Sequence, residues 1–201
     1  IGVGKLMGFD LINNFNRPYL STSITDFWRR WHISLSTWLK DYVYIPLGGS
    51  RCSKAICYLN IMVTFLVSGI WHGANWTFVL WGVMHGVFQV VEKALGMQKC
   101  ESKRVRIPRI IVTFLIVTIA WIFFRVPTIG DGFAFIERIF TDHGAVLKPV
   151  NTHILFSAFA ILTVSATDIM NEFFPDRFRL IGSRNRYVRW ATYYVLALMI
   201  F

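Results

Sequence analysis

Ser68–Gly86 reads SGIWHGANWTFVLWGVMHG, and it lies inside a long apolar run. It nevertheless holds two histidines, an asparagine and four glycines. A bilayer interior offers no water to polar groups, so each polar side chain there needs a partner or a task. From Ala55 to Val91 the chain carries no Asp, Glu, Lys or Arg. One unbroken helix over that length would reach about 55 Å at ~1.5 Å per residue, well beyond a ~30 Å hydrocarbon core. Residues 55–92 are therefore expected to form a broken helix or a hairpin that turns near Gly69–Trp76 and holds His72 deep in the membrane.

The flanks support this reading. Arg51 and Lys54 precede the run, and Lys93, Lys99, Lys103, Arg104, Arg106 and Arg109 follow it. Basic flanks at both ends place both ends in the cytoplasm by the positive-inside rule. Further spans are expected at 110–126, 154–170 and 190–201, with a possible short helix from Gly132 to Phe140 and a basic return through Arg177, Arg179, Arg184, Arg186 and Arg189.

Composition agrees with several membrane spans. Of 201 residues, 55% are hydrophobic and 16% charged, against roughly 45–50% and 25% in soluble domains. Mean hydropathy is +0.49. The net charge of +10 would suggest nucleic acid in a soluble protein, but here the cations fall between apolar runs and no nucleic-acid signature accompanies them. Cys52, Cys57 and Cys100 are odd in number and lack metal spacing, which favours free reduced thiols. The chain opens on IGVGKLMGF and stops within YYVLALMIF, so it is expected to be a segment of a longer protein.

Before the apolar run, Ser23 has the character of an N-cap with Asp26 as its acidic partner. Ile24, Phe27, Trp28, Trp31, Leu35, Trp38 and Leu39 then recur at spacings of three and four, opposite Arg29, Arg30 and Lys40. Residues 23–41 thus read as one basic amphipathic helix at the membrane interface. Pro46 and Gly48–Gly49 end it.

Several residues could carry chemistry. His72 titrates near neutrality and stands between Gly69 and Gly73, with Trp71 and Trp76 available to exclude water. It suits a general base, and a packing histidine bonded to a carbonyl is the alternative. Asn75 could orient the imidazole or cap a helix break. His85 suits a structural hydrogen bond. His32 could meet an acyl donor arriving from the cytoplasm. Arg29 and Arg30 could hold phosphates of coenzyme A or phosphopantetheine, or contact lipid headgroups. No metal site is expected, because HxxxH and HExxH spacings are absent and carboxylates are scarce. A transporter or scaffold with the same polar membrane residues is the competing class.

Three stretches together carry a resemblance: NFNRPYLSTSITDFWRRWHISLSTWLKDYVYIPLGGSR, SGIWHGANWTFVLWGVMHG and AWIFFRVPTIGDGFAFIERIF. They resemble the bacterial membrane-bound O-acyltransferases, and their wording is similar to the alginate O-acetyltransferase-like branch. The resemblance covers about residues 1–140. It implies an all-α polytopic integral membrane protein, a helical bundle with re-entrant and interfacial helices, of which this chain is part of the C-terminal half. It implies His72 as the membrane histidine that acts as general base and His32 as the second signature histidine, at the cytoplasmic mouth. It implies an acetyl or acyl group taken from acetyl-CoA or an acyl-carrier thioester, with no bound cofactor. The acceptor would be a cell-surface or exported polysaccharide, reached through an extracytoplasmic acetyltransferase partner, at the bacterial inner membrane. D-alanyl transfer to a teichoic-type polymer is the alternative within the family.

Overall fold

A computed structural model describes residues 2–98, 102–142, 152–174 and 185–198. The expectations for Lys99, Cys100, Arg177, Arg179, Arg184 and the last three residues of the 190–201 span lie outside the described residues. The chain forms two compact units, Ile1–His143 and Gly144–Phe201. The described residues are helical or irregular, with no strand among them.

The first unit is built on a hairpin. Helix α4 (Lys54–His72) and helix α5 (Trp76–Ala94) run antiparallel, joined by residues 73–75. Glycines let the two backbones touch. A Cβ at Gly69 would collide with the Phe78 carbonyl, and one at Gly82 with the Phe65 carbonyl. At Gly86 it would meet the Met62 thioether at 2.9 Å. Gly82 and Gly86 form a GxxxG pair, the small-residue pattern that joins helices where lipid supplies no hydrophobic drive between them. At the far end of α5, Gly96 (φ 67°) adopts the left-handed cap conformation, and Met97 N–H donates to Glu92 O at 2.8 Å.

Helix α6 (Lys103–Arg125) packs on α5. It starts seven residues before the expected Ile110, because the basic flank continues the helix instead of preceding it. Thr128 then caps α7 (Ile129–Thr141), accepting from Asp131 N–H at 3.2 Å and donating to its carboxylate at 2.7 Å. Gly132 lets α7 close on Phe123, whose ring would stand 2.6 Å from a Cβ there.

The segment expected as one interfacial helix over 23–41 is divided. Helix α2 (Ile24–Arg30) and helix α3 (Ile33–Leu39) are separated by an extended Trp31 and a left-handed His32, φ 44° and ψ 56°. A π-helical turn, Lys40–Tyr44, follows. The break is held from outside the helices. Asn16 N–H donates to Arg30 O at 2.9 Å, and Asn14 accepts from Ile33 N–H at 3.0 Å and, through its side chain, from Ser34 N–H at 2.9 Å. Helix α2 buries one face and leaves Arg29 exposed. Ile24, Phe27 and Trp28 are buried in one core with Ile61, Phe65, Trp81, Val117 and Ala120. Ahead of it come a short helix α1 (Gly2–Leu6) and a single 3-10 turn, Pro18–Leu20.

The second unit contains α8 (Thr152–Phe173) and α9 (Arg186–Leu198). Among the described residues three helices are long and apolar enough to cross a membrane: Lys54–His72, Arg104–Arg125 and Ile154–Phe173. Helix α9 covers the described part of the expected 190–201 span.

Candidate active site

His72 is the last residue of α4, half-buried, and the chain breaks immediately after it. A helix of 19 residues is about 28 Å long, so His72 lies a full hydrocarbon thickness along the axis from Lys54. Gly73 N–H turns back to Ile70 O at 3.1 Å, and a Cβ on Gly73 would stand 2.9 Å from the Phe78 ring. The imidazole meets Trp71 at 4.9 Å, Phe124 at 5.0 Å and Trp81 at 5.2 Å between ring centroids, all edge-on, with Phe78 at 6.2 Å. Trp81 and Phe124 are walls that the sequence reading missed. Expected as a wall, Trp76 points outward and is 75% exposed. The hairpin explains the exchange: antiparallel return brings Trp81, rather than Trp76, back alongside the end of α4.

Of the two roles expected for Asn75, orienting the imidazole or capping a helix break, the structure shows the cap. The helix stops at His72, and Asn75 becomes the N-cap of α5. Its side-chain oxygen accepts from Thr77 N–H at 3.1 Å, and its amide nitrogen donates to Pro127 O at 2.9 Å. Both ends of the amide are committed to tying the hairpin turn to the α6–α7 corner.

His32 caps α3 in its left-handed conformation, and its Nδ1 is buried with no hydrogen-bond partner among the described residues. His32 is half-buried and lies in the same compact unit as His72. Aromatic rings connect the two regions. Phe15 lies 6.2 Å from His32 and 4.8 Å from Trp31. Trp31 lies 5.2 Å from Trp121, which is 5.3 Å from Phe124. The indole N–H groups of Trp81 and Trp121 are buried without partners among the described residues.

His85 is fully buried. Its Nδ1 accepts from the Trp28 indole at 3.3 Å, and the ring stacks against Phe27 and Phe65. That bond fastens α2 to α5.

A cavity of about 610 Å³ opens beside this cluster. Arg29, Lys40 and Lys93 supply cations, Ser36, Thr37 and Ser50 supply hydroxyls, and Trp28, Phe65 and Ser68 line it as well. Ser68 precedes His72 by one helical turn. Arg30 is not part of the lining; it bonds Asp26 at 3.0 Å. Lys40 and Lys93 were missed because they lie far from Arg29 in sequence and join it only through the π turn and the hairpin. Among the described residues no three His, Cys, Asp or Glu side chains converge as a metal site.

Residues 1–129 match the family model described as MBOAT, membrane-bound O-acyltransferase family. The chain is 49% identical over 142 residues to "Probable alginate O-acetylase AlgI" of Pseudomonas aeruginosa, covering 70% of this chain and 27% of that protein. It is 44% identical over 149 residues to the peptidoglycan O-acetyltransferase of Helicobacter pylori, covering 73% and 28%. With the teichoic acid D-alanyltransferase of Bacillus subtilis it shares 35% over 94 residues, covering 43% and 24%. The chain spans about a quarter of the length of these relatives.

Proposed function

The chain belongs to the membrane-bound O-acyltransferase family, and on that premise we propose that it carries the transfer site of a polysaccharide O-acetyltransferase. His72 is the general base. It takes the proton of an acceptor hydroxyl, the oxygen attacks the carbonyl of an acyl thioester, and the carbon–sulfur bond breaks with departure of the donor thiolate. The observation that carries this reading is the setting of His72. It is half-buried among edge-on aromatic rings, joined to the His32 region by a run of ring contacts, one turn beyond the cationic cavity.

The donor is acetyl-CoA or an acyl-carrier thioester. Arg29, Lys40 and Lys93 suit its phosphates, and the hydroxyl-rich wall suits its amide-bearing arm. Gathering Lys54, Lys93 and Arg109 toward one end of the hairpin and α6 supports a cytoplasmic donor side and a multi-pass orientation in a bacterial inner membrane. The acceptor is a cell-surface or exported polysaccharide on the other side, reached with an extracytoplasmic acetyltransferase partner. Acetyl transfer is preferred over D-alanyl transfer because the relatives named as acetyl-transferring align over most of the chain and the D-alanyl one over less than half.

The test replaces His72 by Ala or Gln in the producing bacterium and measures O-acetyl groups on its surface polysaccharides. Acetylation is expected to fall at least 100-fold at unchanged membrane levels of protein. Retained acetylation refutes the catalytic role and leaves a transporter or scaffold as the better account.

A further inference from the structure

Away from His72, near the charged end of the hairpin, a cysteine meets a lysine and a tyrosine, with a second cysteine on the loop before α4. Cys57 is a free thiol in the first turns of α4 and is buried. Its sulfur lies 2.6 Å from Lys93 Nζ and 3.3 Å from the Tyr44 hydroxyl, while Lys93 and Tyr44 are 3.4 Å apart. The Cys52 sulfur accepts from the side-chain amide of Asn60 at 3.6 Å, which places it against α4 three residues beyond Cys57. Cys52 is itself half-buried and donates to Gly49 O at 3.3 Å.

Two polar neighbours stand within hydrogen-bonding distance of the Cys57 sulfur. An ammonium and a phenol donate to it, and the amino end of α4 adds the positive end of a helix dipole. Such surroundings distinguish a reactive cysteine from an inert packed one. Lys93 and Tyr44, the neighbours of the Cys57 sulfur, line the cavity described above, as does Ser50. The partner thiol is five residues away on the Ser50–Ser53 loop, whose preceding Gly48–Gly49 pair gives the backbone freedom to move (φ 103° and 55°).

We propose that Cys57 and Cys52 form an oxidant-sensitive thiol pair, with Cys57 as the attacking thiolate and Cys52 as the resolving thiol. Hydrogen peroxide is the co-reactant. The Cys57 sulfur attacks one peroxide oxygen, the O–O bond breaks, and hydroxide leaves Cys57 as a sulfenic acid. Cys52 sulfur then displaces hydroxide from that sulfur. The two thiol protons and the two peroxide oxygens depart as two waters, and a Cys52–Cys57 disulfide remains. Its formation removes the anionic partner of Lys93, a cation of the cavity wall, so the pair couples oxidation to the cavity's charge. Reduction by a thiol restores the original state.

The experiment uses the protein in its native membranes. Peroxide treatment, blocking of remaining thiols and mass spectrometry are expected to give a peptide joined through Cys52 and Cys57, reversed by dithiothreitol. Cys52→Ser should stop the reaction at a Cys57 sulfenic acid that dimedone traps. Lys93→Met, checked for unchanged membrane abundance, should slow disulfide formation about tenfold, whereas Lys54→Met should not. Recovery of both cysteines as free thiols after peroxide, dimedone on Cys52 in place of Cys57, or an unaltered rate in Lys93→Met overturns the proposal.

Discussion

Glu92 shows how one side chain can set the position of a helix that carries candidate site residues. From the end of α5 its carboxylate accepts from Ile24 N–H, from Thr25 N–H at 3.0 Å and from the Thr25 hydroxyl at 3.2 Å. It thereby caps α2 from another element, supplementing Ser23, whose hydroxyl accepts from Asp26 N–H at 3.0 Å. Both Ile24 and Thr25 are buried, so water cannot replace the carboxylate. Glu92→Ala should cost about 1–3 kcal/mol, and Glu92→Gln less, because the amide keeps one acceptor. Thermal unfolding in detergent reads both, and an unchanged midpoint for the Ala variant would refute the anchoring role. The local cap at Ser23–Asp26 is legible from spacing. The Glu92 cap is not, since it joins residues 68 apart and nothing in either stretch names the other.

At the scale of elements, the hairpin follows from an uncharged run too long for one span. Its tight packing is also written in the sequence, as Gly69, Gly82 and Gly86, though only the fold reveals what each glycine faces. Gly82 faces backbone and Gly86 a flexible methionine. Gly82→Ala should therefore cost about 1–3 kcal/mol through forced separation of the helices, and Gly86→Ala under ~1 kcal/mol as Met62 turns aside. Folded yield and unfolding midpoint distinguish them; equal effects would show that backbone contact is not what holds α4 on α5. The break between α2 and α3 defeats periodicity for a physical reason. Apolar spacing continues through Trp31 and Leu35 in either arrangement, and the groups that stabilise the break belong to Asn14 and Asn16. Tertiary hydrogen bonds outweigh helical propensity there.

For the molecule as a whole, the positive-inside rule applied to the described cations makes the orientation of the first unit testable. Lys54, Lys93 and the start of α6 mark one end, while Asn75 joined to Pro127 marks the other. Asp131, in the first turn of α7, belongs to that second end. In a variant whose native cysteines are replaced by serine, Asp131→Cys should be labelled in intact spheroplasts by a membrane-impermeant maleimide, and Ser53→Cys only after lysis. The reverse pattern would invert the topology. The apolar outer faces fit the same picture. None of the apolar stretch of α8 is buried, and lipid is a natural cover for it. Composition announced that much. The site demanded more, because the cavity's three cations come from α2, the π turn and α5.

His32 holds a left-handed backbone, a conformation that costs a residue with a Cβ roughly 1–2 kcal/mol. Asparagine tolerates that region better than alanine does. An alanine at position 32 therefore removes the imidazole and also tempts the chain to straighten α2 into α3, so two losses are counted as one. His32→Asn is the better reference, since it deletes the ring while keeping the bend. If the histidine acts through its imidazole, the Asn variant should lose acetylation as fully as the Ala variant while unfolding at a higher temperature. If its contribution is only the bend, Asn should restore activity. The shape of the backbone thus decides which substitution can weigh the chemistry of the side chain.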